Sequence, residues 1–78
     1  MTETFYFFDC LDGIIGGRYW RLDDLKAEML GEDDPREYTE RDAVLLAQNI
    51  EAILYRYEVE NGEEVDSATL YDPWDCFG

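Results

Sequence analysis

Carboxylates are the side chains that could carry chemistry in this sequence, and one stretch concentrates them. Residues 31–42, GEDDPREYTERD, place six carboxylates and two arginines within twelve residues. A carboxylate pair performs acid–base catalysis when its surroundings in a cleft give the two groups different pKa values. A 78-residue chain has little room for such a cleft. The sequence has no histidine to act as a base and one serine, Ser67, which excludes a conventional triad. We therefore predict no catalytic residue and no enzyme.

The two cysteines, Cys10 and Cys76, are interpreted as small buried hydrophobes rather than a disulfide, although the sequence leaves their redox state open. Tetrahedral zinc takes four nitrogen or sulfur ligands, which two cysteines without histidine do not supply. The glycines of IIGGRYWRL lack the lysine and the wider glycine spacing of a phosphate-binding loop. We expect neither a metal nor a cofactor.

The net charge restricts the possible partners. Twenty Asp and Glu against six Lys and Arg give −14, whereas a magnitude of ~2–8 is enough for the solubility of a small domain. A polyanion does not bind nucleic acid directly and avoids anionic membranes. It is steered toward basic proteins, and basic grooves belong mostly to nucleic-acid-binding proteins. Without a long apolar run or a positively charged leader, the chain is expected in the cytoplasm, and the sequence leaves open whether it is a monomer or a homodimer.

The elements that must position these acids begin with two strands. Hydrophobic residues make up 46% of the chain and aromatic residues 15%, which predicts one compact domain over residues 1–78. TETFYFFDCL is apolar enough for a buried strand, Asp12-Gly13 suits a tight turn, and IIGGRYWRL would return as the second strand. Gly16-Gly17 within it indicates a bulge or a close backbone approach.

Two helices and a last strand follow. LDDLKAEMLG predicts a short helix capped by Asp23 or Asp24, with Gly31 at its end. Thr39 is the expected N-cap of a longer helix, with Asp42 completing a capping box. The apolar spacing extends this helix to Tyr57 or Val59, although YRYEVE also alternates like a strand. A strand through VDSATLYD completes a ββααβ order: an α+β fold with both helices on one face of a small antiparallel sheet.

Many of the acids have structural reasons to be present, and the remainder are candidate contacts. Carboxylates in the first turns of helices cap amides and oppose the helix dipole. No such role is evident for those in residues 32–34 or for several later ones. Fourteen uncompensated charges equal roughly 24 Å of duplex DNA, close to the ~30 Å span of a chain this size. The expected partner-binding residues are Glu32, Asp33, Asp34, Glu37, Glu51 and Glu58.

Small, acidic, aromatic-rich domains of this kind resemble the anti-CRISPR and antirestriction inhibitors that phages and mobile elements direct against host defence. FYFFDCLDGIIGGRYWRL, about a quarter of the chain, is similar to the amino-terminal strand–turn–strand of ArdA-type antirestriction proteins. Gly13, Gly17 and Trp20 would occupy its glycine-turn and return-strand positions. The resemblance implies that the acids stand in for DNA phosphates in a basic groove.

The expected function is therefore inhibition of a host nucleic-acid-binding defence complex by an acidic DNA mimic. Surface tyrosines among the acids, such as Tyr38 and Tyr55, would add interface anchors. An immunity protein or antitoxin that occludes a basic toxin is the alternative. An accessory domain whose charge serves solubility alone is a further alternative.

Overall fold

The computed structural model describes residues 2–74 and forms a four-stranded antiparallel sheet with two helices. The elements are β1 (Thr2–Asp9), β2 (Tyr19–Trp20), α1 (Leu22–Met29), α2 (Glu40–Ile50), β3 (Ile53–Glu60) and β4 (Glu63–Tyr71). The spatial strand order is β2-β1-β3-β4. The α+β class and the antiparallel sheet are confirmed. The expected ββααβ order is wrong, because the chain forms ββααββ.

The error lies in residues 53–60, which form β3 instead of extending α2. Helix α2 ends at Ile50, and Glu51 takes a left-handed conformation (φ 54°) that turns the chain out of the helix. The alternation in YRYEVE and its β-branched and aromatic residues prevail over the helical spacing of the apolar positions. Asn61 and Gly62, with φ of 53° and 81°, then close a two-residue turn into β4.

The connection from β1 to β2 is longer than expected, and β2 has two residues. The Asp12 carboxylate accepts hydrogen bonds from the amides of Ile14 and Ile15, both at 2.8 Å, which coils the chain locally. At Gly16, a Cβ would lie 2.7 Å from the carbonyl oxygen of Asp12 and 2.8 Å from that of Cys10. This confirms the close backbone approach predicted from the paired glycines.

The helix ends follow the expected chemistry with one exception. Thr39 and Asp42 form the predicted capping box, and Gly31 (φ 93°) donates its amide to the Lys26 carbonyl at 3.1 Å. The predicted aspartate cap of α1 is wrong: Arg21 occupies the N-cap position, while Asp23 and Asp24 lie in the first turn. There their negative charges interact favourably with the positive end of the helix dipole.

The core lies between the helices and one face of the sheet. Strand residues that point to this face are buried against α1 and α2; the buried cluster comprises Tyr6, Phe8, Ile15, Trp20, Leu25, Ala43, Ala47, Ala52 and Leu54. Both helices therefore pack on the same side, as predicted. Cys10 is half-buried beside the core, and Cys76 lies outside the described residues. Over residues 2–74, no helix is long and apolar enough to cross a membrane.

Candidate functional site

The turn between β3 and β4 carries a cluster of carboxylates, here called the acidic hairpin: Glu58, Glu60, Glu63, Glu64 and Asp66. The strand register places Glu58 opposite Asp66 and Glu60 opposite Glu63. Directly opposed residues on antiparallel strands have Cα atoms about 4.5–5.5 Å apart, and like charges in such pairs are destabilising. The fold therefore holds two like-charge pairs at one end of its sheet.

Within the described residues, no cation forms an ion pair with the acidic hairpin. The ion pairs found there join Arg21 to Glu3, Arg36 to Asp34 and Arg56 to Glu40. Arg56 is the cation nearest in the register, but its guanidinium is 3.0 Å from Glu40. That hydrogen bond, with a smaller contribution from Glu58, raises the pKa of Arg56. The hairpin charge is left for solvent or a partner to neutralise.

The density of this charge is comparable to that of DNA. From Glu58 to the turn at Asn61 the hairpin extends three residues, or about 10 Å at the rise of an antiparallel strand. Duplex DNA carries about six charges over that length. The acidic hairpin carries five, whereas Glu3, opposite Val59 on the neighbouring strand, is neutralised by Arg21. One end of the sheet thus matches a short piece of duplex in charge per length.

The Tyr6–Glu40–Arg56 network fixes where α2 begins relative to this end of the sheet. The Tyr6 hydroxyl donates to Glu40 Oε2 at 2.9 Å, and the Arg56 guanidinium donates to the same oxygen at 3.0 Å. Burial, followed by the bond to Glu40, raises the pKa of Tyr6 to about 12. Glu40, in the first turn of α2, therefore joins this helix to the sheet.

The six residues predicted to bind a partner lie in three places. Glu32, Asp33 and Glu37 are exposed in the connection between α1 and α2, and Asp34 is half-buried there. Glu58 belongs to the acidic hairpin, while Glu51 is the C-cap at the far end of α2. An 11-residue helix is about 16 Å long, so Glu51 lies about that far from the end of the connection at Thr39. Their role in binding stays a prediction.

Asp34 has a structural role that the sequence did not reveal. Its carboxylate accepts a hydrogen bond from the Arg36 amide at 2.9 Å and pairs with the Arg36 guanidinium at 2.6 Å. The side-chain bond, followed by the amide bond, lowers the pKa of Asp34 to about 2. Asp34 therefore closes the turn that contains Pro35, and its charge is paired within the chain.

We expect Asp34 to make stability sensitive to acid. Because its pKa is about 2 in the folded protein and near 3.8 in the unfolded chain, its contribution is complete above pH 3.8 and disappears as pH falls toward 2. Thermal unfolding followed by circular dichroism should show a shallower decline over this range for Asp34→Asn. Asp33→Asn, which changes an exposed neighbour, is the control and should keep the native profile. An unchanged slope in Asp34→Asn would contradict this role.

The second candidate surface is the sheet face opposite the core, here called the aromatic face: Phe5, Phe7, Tyr19, Tyr55 and Tyr57. The register pairs Phe5 with Tyr57, Phe7 with Tyr55 and Phe7 with Tyr19. The Phe7 and Tyr19 ring centroids are 5.1 Å apart, and those of Tyr19 and Tyr57 are 5.7 Å apart. Tyr19 remains 62% exposed. The rings thus form one connected, partly exposed surface.

Alternating positions in β1 and β3 are the sequence signal that would have revealed this face. Phe5 and Phe7 alternate with the buried Tyr6 and Phe8, so the apolar run of β1 serves both sides of the sheet. Tyr55, expected on the surface, lies on the aromatic face. Tyr38, the other predicted anchor, packs beside the core, and its hydroxyl donates to the Asp42 carbonyl at 3.4 Å.

A groove of about 330 Å³ joins the two candidate surfaces. Its lining residues are Phe5, Tyr19, Tyr57, Val59, Gly62 and Glu64. Glu64 belongs to the acidic hairpin and lies opposite Val59, so a carboxylate stands beside aromatic rings. Burial, followed by the neighbouring Tyr19 and Glu64, raises the pKa of Tyr57. An apolar group and a positive charge could both be accommodated here.

Metal chemistry has no evident site: within residues 2–74, no three His, Cys, Asp or Glu side chains are arranged to hold a metal ion. No protein-family model matches the chain, and neither curated proteins nor solved structures show significant similarity to it. The two surfaces described above are therefore the basis for a functional assignment.

Proposed function

We propose that this protein inhibits a host nucleic-acid-binding defence complex, of the anti-CRISPR or antirestriction kind, by occupying a basic groove as an acidic DNA mimic. The acidic hairpin makes the principal contact, and Glu58 is the member that the sequence also predicts. Each carboxylate pairs with a lysine or arginine that otherwise holds a DNA phosphate. The protein acts by binding and performs no chemical step.

The observation that carries the proposal is the pair of opposed like charges, Glu58 with Asp66 and Glu60 with Glu63. Such pairs destabilise a hairpin, and within the described residues no ion pair neutralises them; Asp66 accepts a hydrogen bond from the Ser67 amide at 2.9 Å. A basic partner placed over the turn would neutralise both pairs at once. This relief exists only in the complex, so it favours association with a cationic surface.

The class of partner follows from charge and from the resemblance to small anti-defence inhibitors. A net charge of −14 steers the protein toward positive surfaces and away from nucleic acid itself. The hairpin's linear charge density is that of a short duplex, which is the ligand that a DNA-binding groove is built to accept. Electrostatic attraction also predicts fast association and a strong dependence on salt.

The decisive experiment is capture of the partner from bacterial host lysate by the tagged protein, with and without competing duplex DNA. We expect DNA to displace the partner and the purified complex to bind DNA poorly. Capture should also weaken steeply as salt rises from about 50 to 200 mM, as it does for contacts that replace phosphates. A complex that still binds DNA normally would refute mimicry and favour an immunity protein or antitoxin.

A further inference from the structure

The groove beside the acidic hairpin repeats an arrangement that the chain already uses once. On the same face, the Arg21 guanidinium lies 5.1 Å from the centroid of the Phe5 ring and 3.0 Å from a carboxylate oxygen of Glu3. A ring therefore supports the cation while a carboxylate neutralises it. In the groove, Tyr57 and Tyr19 supply the rings and Glu64 supplies the carboxylate. Within residues 2–74, however, no lysine or arginine forms an ion pair with Glu64.

We infer that this groove binds an arginine side chain of a partner protein, with the guanidinium in contact with the Tyr57 and Tyr19 rings and paired with Glu64. The inference rests on the proposed function for the origin of the arginine, because a basic nucleic-acid-binding protein presents such side chains. Aromatic faces attract cations through the ring quadrupole, and a planar guanidinium stacks on them better than an ammonium does. The volume of about 330 Å³ is ample for one side chain.

The charge around the groove disfavours a second copy of this chain or a purely apolar segment as its occupant. A second copy would bring another −14 onto a face already bordered by Asp9 and Glu64, so self-association through it is opposed by repulsion. A purely apolar segment would leave the Glu64 carboxylate beside it without a counter-charge. A cationic side chain with a flat apolar surface satisfies the rings and the carboxylate together.

The groove also explains how an acidic hairpin would gain specificity. Charge alone attracts any basic surface, whereas a ring-lined recess beside the charge selects a side chain at one fixed position. Arginine and aromatic residues dominate the energetics of protein interfaces when they lie near their centre. The hairpin would then provide attraction and the groove would set the register of the partner.

The test uses a probe that needs no partner protein. The purified protein is titrated with acetyl-Gly-Arg-Gly-amide and with the same peptide containing citrulline, an uncharged isostere, while amide and ring resonances are followed by NMR at about 150 mM salt. We expect shifts confined to the groove residues, and binding of the citrulline peptide roughly tenfold weaker. Equal binding of the two peptides would overturn the inference, and so would shifts spread over all acidic surfaces.

Matched variants separate the ring, the charge and non-specific attraction. Tyr19 is 62% exposed, so Tyr19→Ala should keep the fold but weaken the arginine peptide several-fold, while Tyr19→Phe should keep affinity. Glu64→Gln should weaken binding, whereas Glu28→Gln, which removes an exposed charge on α1, should not. Equal effects of the two glutamate variants would overturn the inference. If the peptide binds in the groove but DNA fails to displace the captured partner, the inference survives and the mimicry proposal does not.

Discussion

Replacing Glu58, Glu60 and Glu63 by glutamine is expected to stabilise the protein and to abolish partner capture. Relief of two like-charge pairs should raise the free energy of unfolding by about 0.4–2 kcal/mol, at ~0.2–1 kcal/mol for each pair. The same change removes three carboxylates from the proposed contact, which should weaken binding by at least about a hundredfold. Urea unfolding and capture from lysate measure the two effects on one preparation.

The opposite signs of these effects distinguish a binding surface from a structural one. A hairpin whose charges stabilised the fold would lose stability on neutralisation. Because exposed charges are screened by salt, the stability gain should shrink between 50 mM and 1 M salt. A loss of stability would show that the acids have a structural role that the described contacts do not reveal.

The control is a variant that removes the same number of charges from the connection: Glu32→Gln, Asp33→Asn and Glu37→Gln. All three side chains are exposed and belong to the set predicted from sequence. We expect this variant to bind more weakly than the wild type but far better than the hairpin variant. If the connection variant binds more weakly than the hairpin variant, the principal contact lies in the connection. Equal losses of affinity would show that net charge alone governs binding.

Truncating Trp20 to alanine is expected to destabilise the protein by about 3–5 kcal/mol, the range for a buried large aromatic residue. Trp20 is 1% exposed, and its indole N–H donates to the Ile15 carbonyl at 2.9 Å. The Arg18 guanidinium covers the ring, 3.8 Å from its centroid. A 78-residue domain has a total stability of about 4–12 kcal/mol, so this single change removes much of it.

The size of this effect comes from the role of Trp20 in holding the long β1–β2 connection. β2 has two residues and therefore few sheet hydrogen bonds, so the indole and the buried Ile15 attach the connection to the core. Urea unfolding monitored by circular dichroism measures the loss. If Trp20→Ala is too unstable to purify, Trp20→Phe should fold with an intermediate loss, because it keeps much of the apolar volume without the hydrogen bond.

Tyr19→Ala is the neighbouring control, since Tyr19 lies on the opposite face of the same strand. At 62% exposure, and with ring contacts to Phe7 and Tyr57, it should lower the free energy of unfolding by about 1–2 kcal/mol, less than Trp20→Ala. A loss below about 1 kcal/mol for Trp20→Ala would show that the connection and core do not depend on the indole.

Local chemistry made several elements predictable. Thr39 and Asp42 lie three residues apart, which is the spacing of a capping box, and Gly31 can take the left-handed conformation that ends α1. The capping box uses one backbone segment, so distant residues were not needed to predict it. The paired glycines likewise predicted a close approach between backbone segments, which occurs at Gly16.

Residues 53–60 were mispredicted because their spacing satisfies both a helix and a strand. Leu54 and Tyr57 are three apart, as on a helix, yet Tyr55 and Tyr57 also alternate with charged residues. Pairing with β1 and β4 decides between these patterns through backbone hydrogen bonds to residues distant in the sequence. Such partners are set by the tertiary structure. Spacing could therefore indicate an alternating aromatic face on each strand, but not which strands pair or which acids stand opposite one another.

The sequence by itself determined the amount of charge, the α+β class and the local ends of the helices. The tertiary structure decided which acids are committed to partners distant in the sequence, because Glu3 meets Arg21 and Glu40 meets Arg56 only in the folded chain. It also decided which acids stand together, since strand register alone opposes Glu60 to Glu63 and sets Glu64 beside Tyr57. Charge is a sum over residues and can be counted from a sequence. A charged surface depends on distances between residues, which arise on folding.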